Sequence, residues 1–342
     1  MRLCVGTAKG IVILAPERGA TPLMVSADPP SVWCMAQDCA DPNLLYAGAI
    51  HNPQAGSARG KSSLAASDDG GRTWRDITPS TARDEEVWAL AASPTRPGVI
   101  FVGTSNARIF RSDDRGLGLR ECTAFLKLPG RDRWTFPPPP HIPHVRSIAF
   151  DPHNSDTLYI GVEEGGAFCS RDHGVTFEPL SQSIYADIHC IVADHDNPRR
   201  LYATTGTGFY TSATAGSTWT PTKGMSRRYA VPLLVSRGKA NTVYTAAAGG
   251  PPPTWTMDGL GADALLFRST DRGESFTAMS SADGNPHPMR GMVMRLIGHP
   301  EDDHLLFGAM SDGGVIRIDE REEMVALIAE KLPPVYDLAV IP

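Results

Sequence analysis

At 342 residues the chain is long enough for two domains, but its formal net charge of −6 comes without any basic block, which argues against nucleic acid as a partner. Glycine (33) and proline (29) are frequent, as short strands and many turns require. No apolar run is long enough to span a bilayer and the chain opens on strand residues, so a cytoplasmic protein with no membrane partner is expected.

In chain order, strand-like runs at 2–6, 11–14 and 23–26 come first, without an obvious inner partner. A strand pair then recurs, its two marks twelve positions apart. Trp33 precedes Leu45, Trp88 precedes Ile100, and Arg146 precedes Leu158. His189 precedes Leu201, Val231 precedes Val243, and Met294 precedes Leu306. Tyr336 marks one more such run, 335–341, with no partner strand after it. The shortest steps between marks match one four-stranded propeller blade of roughly 40–45 residues.

A turn, S-x-D-x-G-x-x-aromatic, punctuates these units. It appears as Ser67/Asp69/Gly71/Trp74, Ser170/Asp172/Gly174/Phe177 and Ser269/Asp271/Gly273/Phe276. Variants are Ser112/Asp114/Gly116 with Leu119, and Ser212/Thr214/Gly216 with Trp219. A tight turn between strands wants a carboxylate to accept backbone N–H groups and a glycine for unusual dihedrals, so these aspartates read as structural. The expected fold is all-β: a seven-bladed β-propeller of four-stranded antiparallel blades, with six or eight as alternative counts. The N-terminal strands would complete the blade begun by the C-terminal one. The blades are placed at 31–80, 86–127, 144–180, 187–222, 229–280, 292–330, and 335–342 with 1–27, in a single domain spanning 1–342.

The six cysteines (Cys4, Cys34, Cys39, Cys122, Cys169 and Cys190) lack C-x-x-C spacing and fit reduced, mostly buried thiols. The S-x-D-x-G turns lie at one face of the ring, here the box face, and His153, His173, His195, His299 and His304 fall at turns or strand ends there and read as surface residues.

The long insertions all fall on the opposite face, called the top, where inner strands begin. They are 51–61 with His51, 128–143 with Trp134 and His141, 249–263 with Trp255, and 281–291 with His287 and Arg290. Loops longer than closure demands are often functional. Below them, alternation puts each mark and the residue two before it on the channel side. Consecutive blades thereby offer Glu86, Trp88, His144, Arg146, Asp187, His189 and Tyr229, with Arg228 beside Tyr229. Glu163 and Glu164 end the second strand of the third blade at the same face. His144, Glu163 and His189 are the candidate ligands of one divalent metal ion, Arg146 an anion clamp, and Asp187 an orienting carboxylate. The same groups suit acid–base chemistry, with Tyr229, Trp134 and Trp255 walling the pocket and Tyr229 in reach of the chemistry. A small polar or anionic substrate is expected, and no nucleotide cofactor.

The five turns resemble the Asp-box (BNR) repeat of sialidases and sortilin-type propellers, and the resemblance covers nearly the whole chain, as a cytoplasmic branch. It implies the fold far more than an activity. A sialidase-type glycoside hydrolase would use an arginine triad, for which Arg146, Arg228 and Arg290 are the candidates beside Tyr229. The F/Y-R-I-P string of that family has only Ala107-Arg108-Ile109-Phe110 here, without the proline. Photosystem assembly propellers carry the boxes too, and imply the alternative of a non-catalytic scaffold with a protein partner on the top face.

Overall fold

The computed structural model describes residues 1–50, 64–180, 183–256, 261–280, 286 and 288–342. They form seven four-stranded antiparallel sheets arranged as the blades of a propeller. The third blade shows the pattern: Val145–Phe150 inside, then Leu158–Val162, Gly166–Ser170 and the short outer strand Glu178–Pro179. The other inner strands are Val32–Gln37, Val87–Ala92, Ile188–Ala193, Tyr229–Val235, Val293–Gly298 and Val335–Ile341. Each touches the inner strand of the next blade, and Val335–Ile341 touches both Val293–Gly298 and Val32–Gln37, so the ring is closed. The closing blade is composite, as expected. Val335–Ile341 pairs with Arg2–Thr7, from Arg2 opposite Ile341 to Thr7 opposite Val335, and Gly10–Leu14 and Pro22–Ser26 follow outward. No helix among the described residues is long and apolar enough to cross a membrane.

Two recurring choices explain why blades stack. The second strand of most blades carries a buried aromatic (Tyr46, Phe101, Tyr159, Tyr202, Tyr244 or Phe307), which fills the space between sheets. Further along three of these strands a glycine admits the next blade. A Cβ on Gly48 would lie 2.4 Å from Val87 Cγ1, one on Gly103 2.6 Å from Val145 Cγ1, and one on Gly161 2.6 Å from Ile188 Cγ2. Blades therefore approach as closely as backbone allows, with β-branched side chains seated over glycines.

The box turns hold themselves together. Ser170 Oγ accepts the Gly174 N–H at 2.8 Å and donates to Asp172 Oδ1 at 2.9 Å, while that oxygen accepts the Val175 and Thr176 N–H groups at 3.2 and 2.8 Å. Asp69 and Asp271 repeat this, and Thr214 Oγ1 substitutes by accepting the Thr218 N–H at 2.9 Å. His173, expected at the surface, is only 5% exposed. Its ring packs toward Phe101 with Nδ1 2.6 Å from Arg96 Nη1, because the third box folds against the second blade. Five cysteines are buried, Cys39 is exposed and all are free.

Candidate functional site

The marks found in the sequence have a common structural cause. In every inner strand the ladder slips by one residue there: between Val32 and Cys34, Val87 and Ala89, Val145 and Ser147, Ile188 and Cys190, Ala230 and Leu233, and Val293 and Arg295. In the closing blade Tyr336 is left out, since Val335 pairs with Thr7 and Asp337 with Gly6. A β-bulge kinks the strand and re-aims the extra side chain. Each bulge residue consequently lines the channel, together with the residue after it, around a cavity of about 50 Å³.

The ring so formed has two unlike halves. Tyr336, Trp33 and Trp88 stand on consecutive blades with ring centroids 4.7 and 5.0 Å apart. Arg146 reaches across the channel to them, its guanidinium 4.8 Å from the Trp33 centroid and 6.0 Å from that of Trp88. His189 follows, and Val231 and Met294 complete the ring with apolar groups.

Just above this ring lie the titratable groups. His144 Nε2 is 2.9 Å from Glu163 Oε2, and Arg146 Nε is 3.4 Å from the same oxygen. The His144 ring stacks on Trp88 at 3.8 Å and is capped by Phe136 at 4.6 Å. In the next blade His189 Nδ1 lies 2.6 Å from the Ala230 carbonyl oxygen, to which it donates. That bond leaves Nε2 directed at Asp187 Oδ1, 3.2 Å away. The two atoms lack the alignment of a hydrogen bond, and both are buried without another partner. Donor atoms of Glu163, Asp187 and His189 lie within 4.8 Å of one another, and all three residues are buried. His144 stands beside this trio, engaged on Glu163.

The electrostatics follow from this packing. Burial works against the Glu163 carboxylate, but the His144 hydrogen bond and attraction to His144, His189 and Arg146 outweigh it and bring its pKa down to about 2. Burial alone would lower the pKa of His189, yet Asp187 and Glu163 hold it above the usual imidazole range. Glu164 is pushed up by burial and by the charges of Asp187 and Glu163. Burial and the same carboxylates also push the Tyr229 hydroxyl up.

The remaining candidates spread around this centre. Tyr229 lies 4.6 Å from the His189 ring, and Trp255, on the turn Pro252–Thr256, lies 6.2 Å beyond it. Glu86 accepts the Trp88 indole N–H at 3.2 Å. Trp134 does not wall the channel. It packs against Phe125 and Phe168 at 5.6 and 5.0 Å, and Phe136 covers His144 instead. His141 is exposed and donates from Nδ1 to the Phe136 carbonyl at 2.9 Å, so it holds that loop in place. Arg228 and Arg290 are exposed, and Arg227 makes the local ion pair, to Asp263 at 2.9 Å. His51 and His287 lie outside the described residues. Sequence reasoning placed Trp33 and Tyr336 at the channel without counting them among the site residues, and missed Phe136, as well as Arg295 and Asp337 one step down the channel.

Fold and site together define a seven-bladed β-propeller with a polar cluster at the top of its channel. The sequence matches no protein-family model and no curated protein. Among solved structures it is similar to a GH74 xyloglucanase from Xanthomonas campestris, at 16% identity and TM-score 0.65, over 95% of this chain and 53% of that one. It is similar to a GH74 enzyme from Niastella koreensis, at 15% identity and TM-score 0.63, over 95% and 46%. It is also similar to YCF48 from Cyanidioschyzon merolae, at 15% identity and TM-score 0.54, over 88% and 87%. The chain thus spans about half the length of the two GH74 chains and most of YCF48. At these identities the likeness is one of fold.

Proposed function

We propose that the protein is a metal-assisted enzyme whose site is the top mouth of the channel and whose substrate is a small polar or anionic molecule. One observation carries this reading: His189 Nε2 and Asp187 Oδ1 are buried without aligned partners and converge with Glu163 within 4.8 Å. With the neutral ring's proton on Nδ1 against Ala230, two acceptors face each other there, and either a second ring proton, which the raised pKa of His189 favours, or a cation must bridge them. A divalent cation satisfies both, and a ring N–H fixed by a backbone carbonyl is the usual support of a metal-binding histidine. Glu163, Asp187 and His189 would hold the ion. An oxygen-and-imidazole set suits zinc, manganese or iron. The ion would polarise a substrate oxygen or acidify a bound water.

Around it, Arg146 offers a guanidinium to a substrate anion and the His144–Glu163 pair can hold or move a proton at His144 Nε2. The self-contained box turns support membership in the Asp-box propellers, and the free, buried cysteines support a cytoplasmic setting. Calorimetric titration of metal-stripped protein with Zn²⁺ and with Mn²⁺ tests the site. One saturable site should appear with at least one ion, weakened about tenfold or more in Asp187→Asn and in His189→Ala. Unchanged binding in both variants contradicts the reading.

A second reading is a protein-interaction scaffold using the top loops. The near full-length match to YCF48, which has been seen bound to D1 peptide, favours it. It expects a partner recovered by pull-down and lost when 249–263 is shortened. A sialidase-type hydrolase has less support, because of its candidate arginines only Arg146 enters the channel.

A further inference from the structure

Past the bulge ring the channel widens toward the box face into a funnel of about 800 Å³, a size typical of small-molecule sites. All seven blades contribute to it, and its mixed wall includes a band of apolar side chains, among them Phe150, Val192, Leu234, Ile297 and Val340. Several of these side chains are only half-buried, although they stand inside the ring of blades.

At the apex of the funnel is Arg295, which lines both this cavity and the one above. The equivalent residues of five other blades are Cys34, Ala89, Ser147, Cys190 and Pro232, all uncharged. A channel wall needs no arginine here, and placing one at the centre of the molecule costs desolvation. Among the described residues its one counter-charge in contact is Asp337, with Oδ1 3.4 Å from Arg295 Nε. Asp337 is itself secured by backbone, accepting the Met35 N–H on Oδ2 and the Leu338 N–H on Oδ1, each at 2.8 Å. Among the described residues the Nη groups of Arg295 have no hydrogen-bond partner, and the side chain is 45% exposed to the channel. Of the funnel's other charged groups and histidines, Arg237, His153, His195 and Asp303 are exposed, His299 is half-buried, and Asp151 is buried with its carboxylate accepting the Tyr159 hydroxyl at 3.0 Å and the His153 N–H at 2.8 Å.

We infer that the funnel is a second ligand site, separate from the upper cluster, that takes a small amphiphilic carboxylate. The apolar body lies against the walls, and the carboxylate accepts two parallel N–H bonds from the free edge of the Arg295 guanidinium. The ligand enters from the box face, because the cavity above the apex is too small to pass it.

Decanoate below its micelle concentration is the probe, titrated calorimetrically into the full chain, with decanol as the uncharged analogue and acetate as the head group alone. Decanoate should saturate at one per chain, decanol should bind about tenfold more weakly or worse, and acetate should not saturate. Arg295→Gln should weaken decanoate about tenfold and leave decanol unchanged. Leu234→Glu, which adds a like charge to the wall without touching the Arg295–Asp337 pair, should abolish decanoate binding and serves if Arg295→Gln fails to fold. His189→Ala should bind decanoate as the wild type does. Absence of saturable binding, equal affinity for decanol, indifference to the funnel variants, or loss in His189→Ala would each overturn the inference.

Discussion

A single backbone carbonyl sets the character of the upper site. By taking the Nδ1 proton of His189, Ala230 turns Nε2 toward Asp187 and leaves a buried acceptor pair that a proton or a cation must bridge. Small local bonds also decide the acid behaviour of the box turns. Partial burial would raise the carboxyls of Asp69, Asp172 and Asp271, but hydroxyl and backbone N–H donors outweigh it and hold them below the usual range. A carboxyl whose folded pKa is depressed contributes stability above its unfolded pKa, near 4, and loses it as the pH falls through the lower folded value. The triple variant Asp69→Asn, Asp172→Asn, Asp271→Asn should therefore lose about 1 kcal/mol per turn at neutral pH. Its Tm should also decline less steeply than that of the wild type below about pH 4. An acid branch identical in both proteins would show that these carboxylates contribute nothing on folding.

Among elements, the inner strands carry the most information and hide part of it. Their spacing, the box turns and the composite last blade were legible because strand period, turn chemistry and blade length are local properties of sequence. The bulges were not, since slipping a ladder by one residue leaves no compositional trace. Strict alternation places Trp33 and Arg146 in the channel but turns their successors away. The bulge brings successors in as well, which is why Arg295 and Asp337 escaped notice. The loop 128–143 shows the same limit. It offers both Trp134 and Phe136, and the turn Arg131–Arg133, entered through Gly130 at φ 77°, decides which one packs into the core and which covers His144. Packing between blades can be tested directly. Gly161→Val places methyl groups where Ile188 already sits and should cost about 1–3 kcal/mol in urea unfolding. Adding Ile188→Ala should recover part of that loss, a coupling that additive effects would rule out.

At the scale of the whole molecule, the ring depends on a non-covalent seam between Val335–Ile341 and Arg2–Thr7. Deleting 335–342 strips the inner strand from the last blade and uncovers Leu3 and Val5. Cooperative unfolding should be replaced by aggregation or by a broad transition at much lower temperature, and a variant that unfolds like the parent would mean the seam is dispensable. The closed ring is also what assembles the channel mouth, since His144 with Glu163 and Asp187 with His189 come from neighbouring blades and meet only when these are packed. The most direct test of that site is the metal content of protein purified without a histidine tag, by elemental analysis, beside His189→Ala and Asp187→Asn. The account predicts one divalent metal ion per chain in the wild type and little in either folded variant. A metal-free wild type that also takes up no ion from Zn²⁺- or Mn²⁺-containing buffer would contradict it.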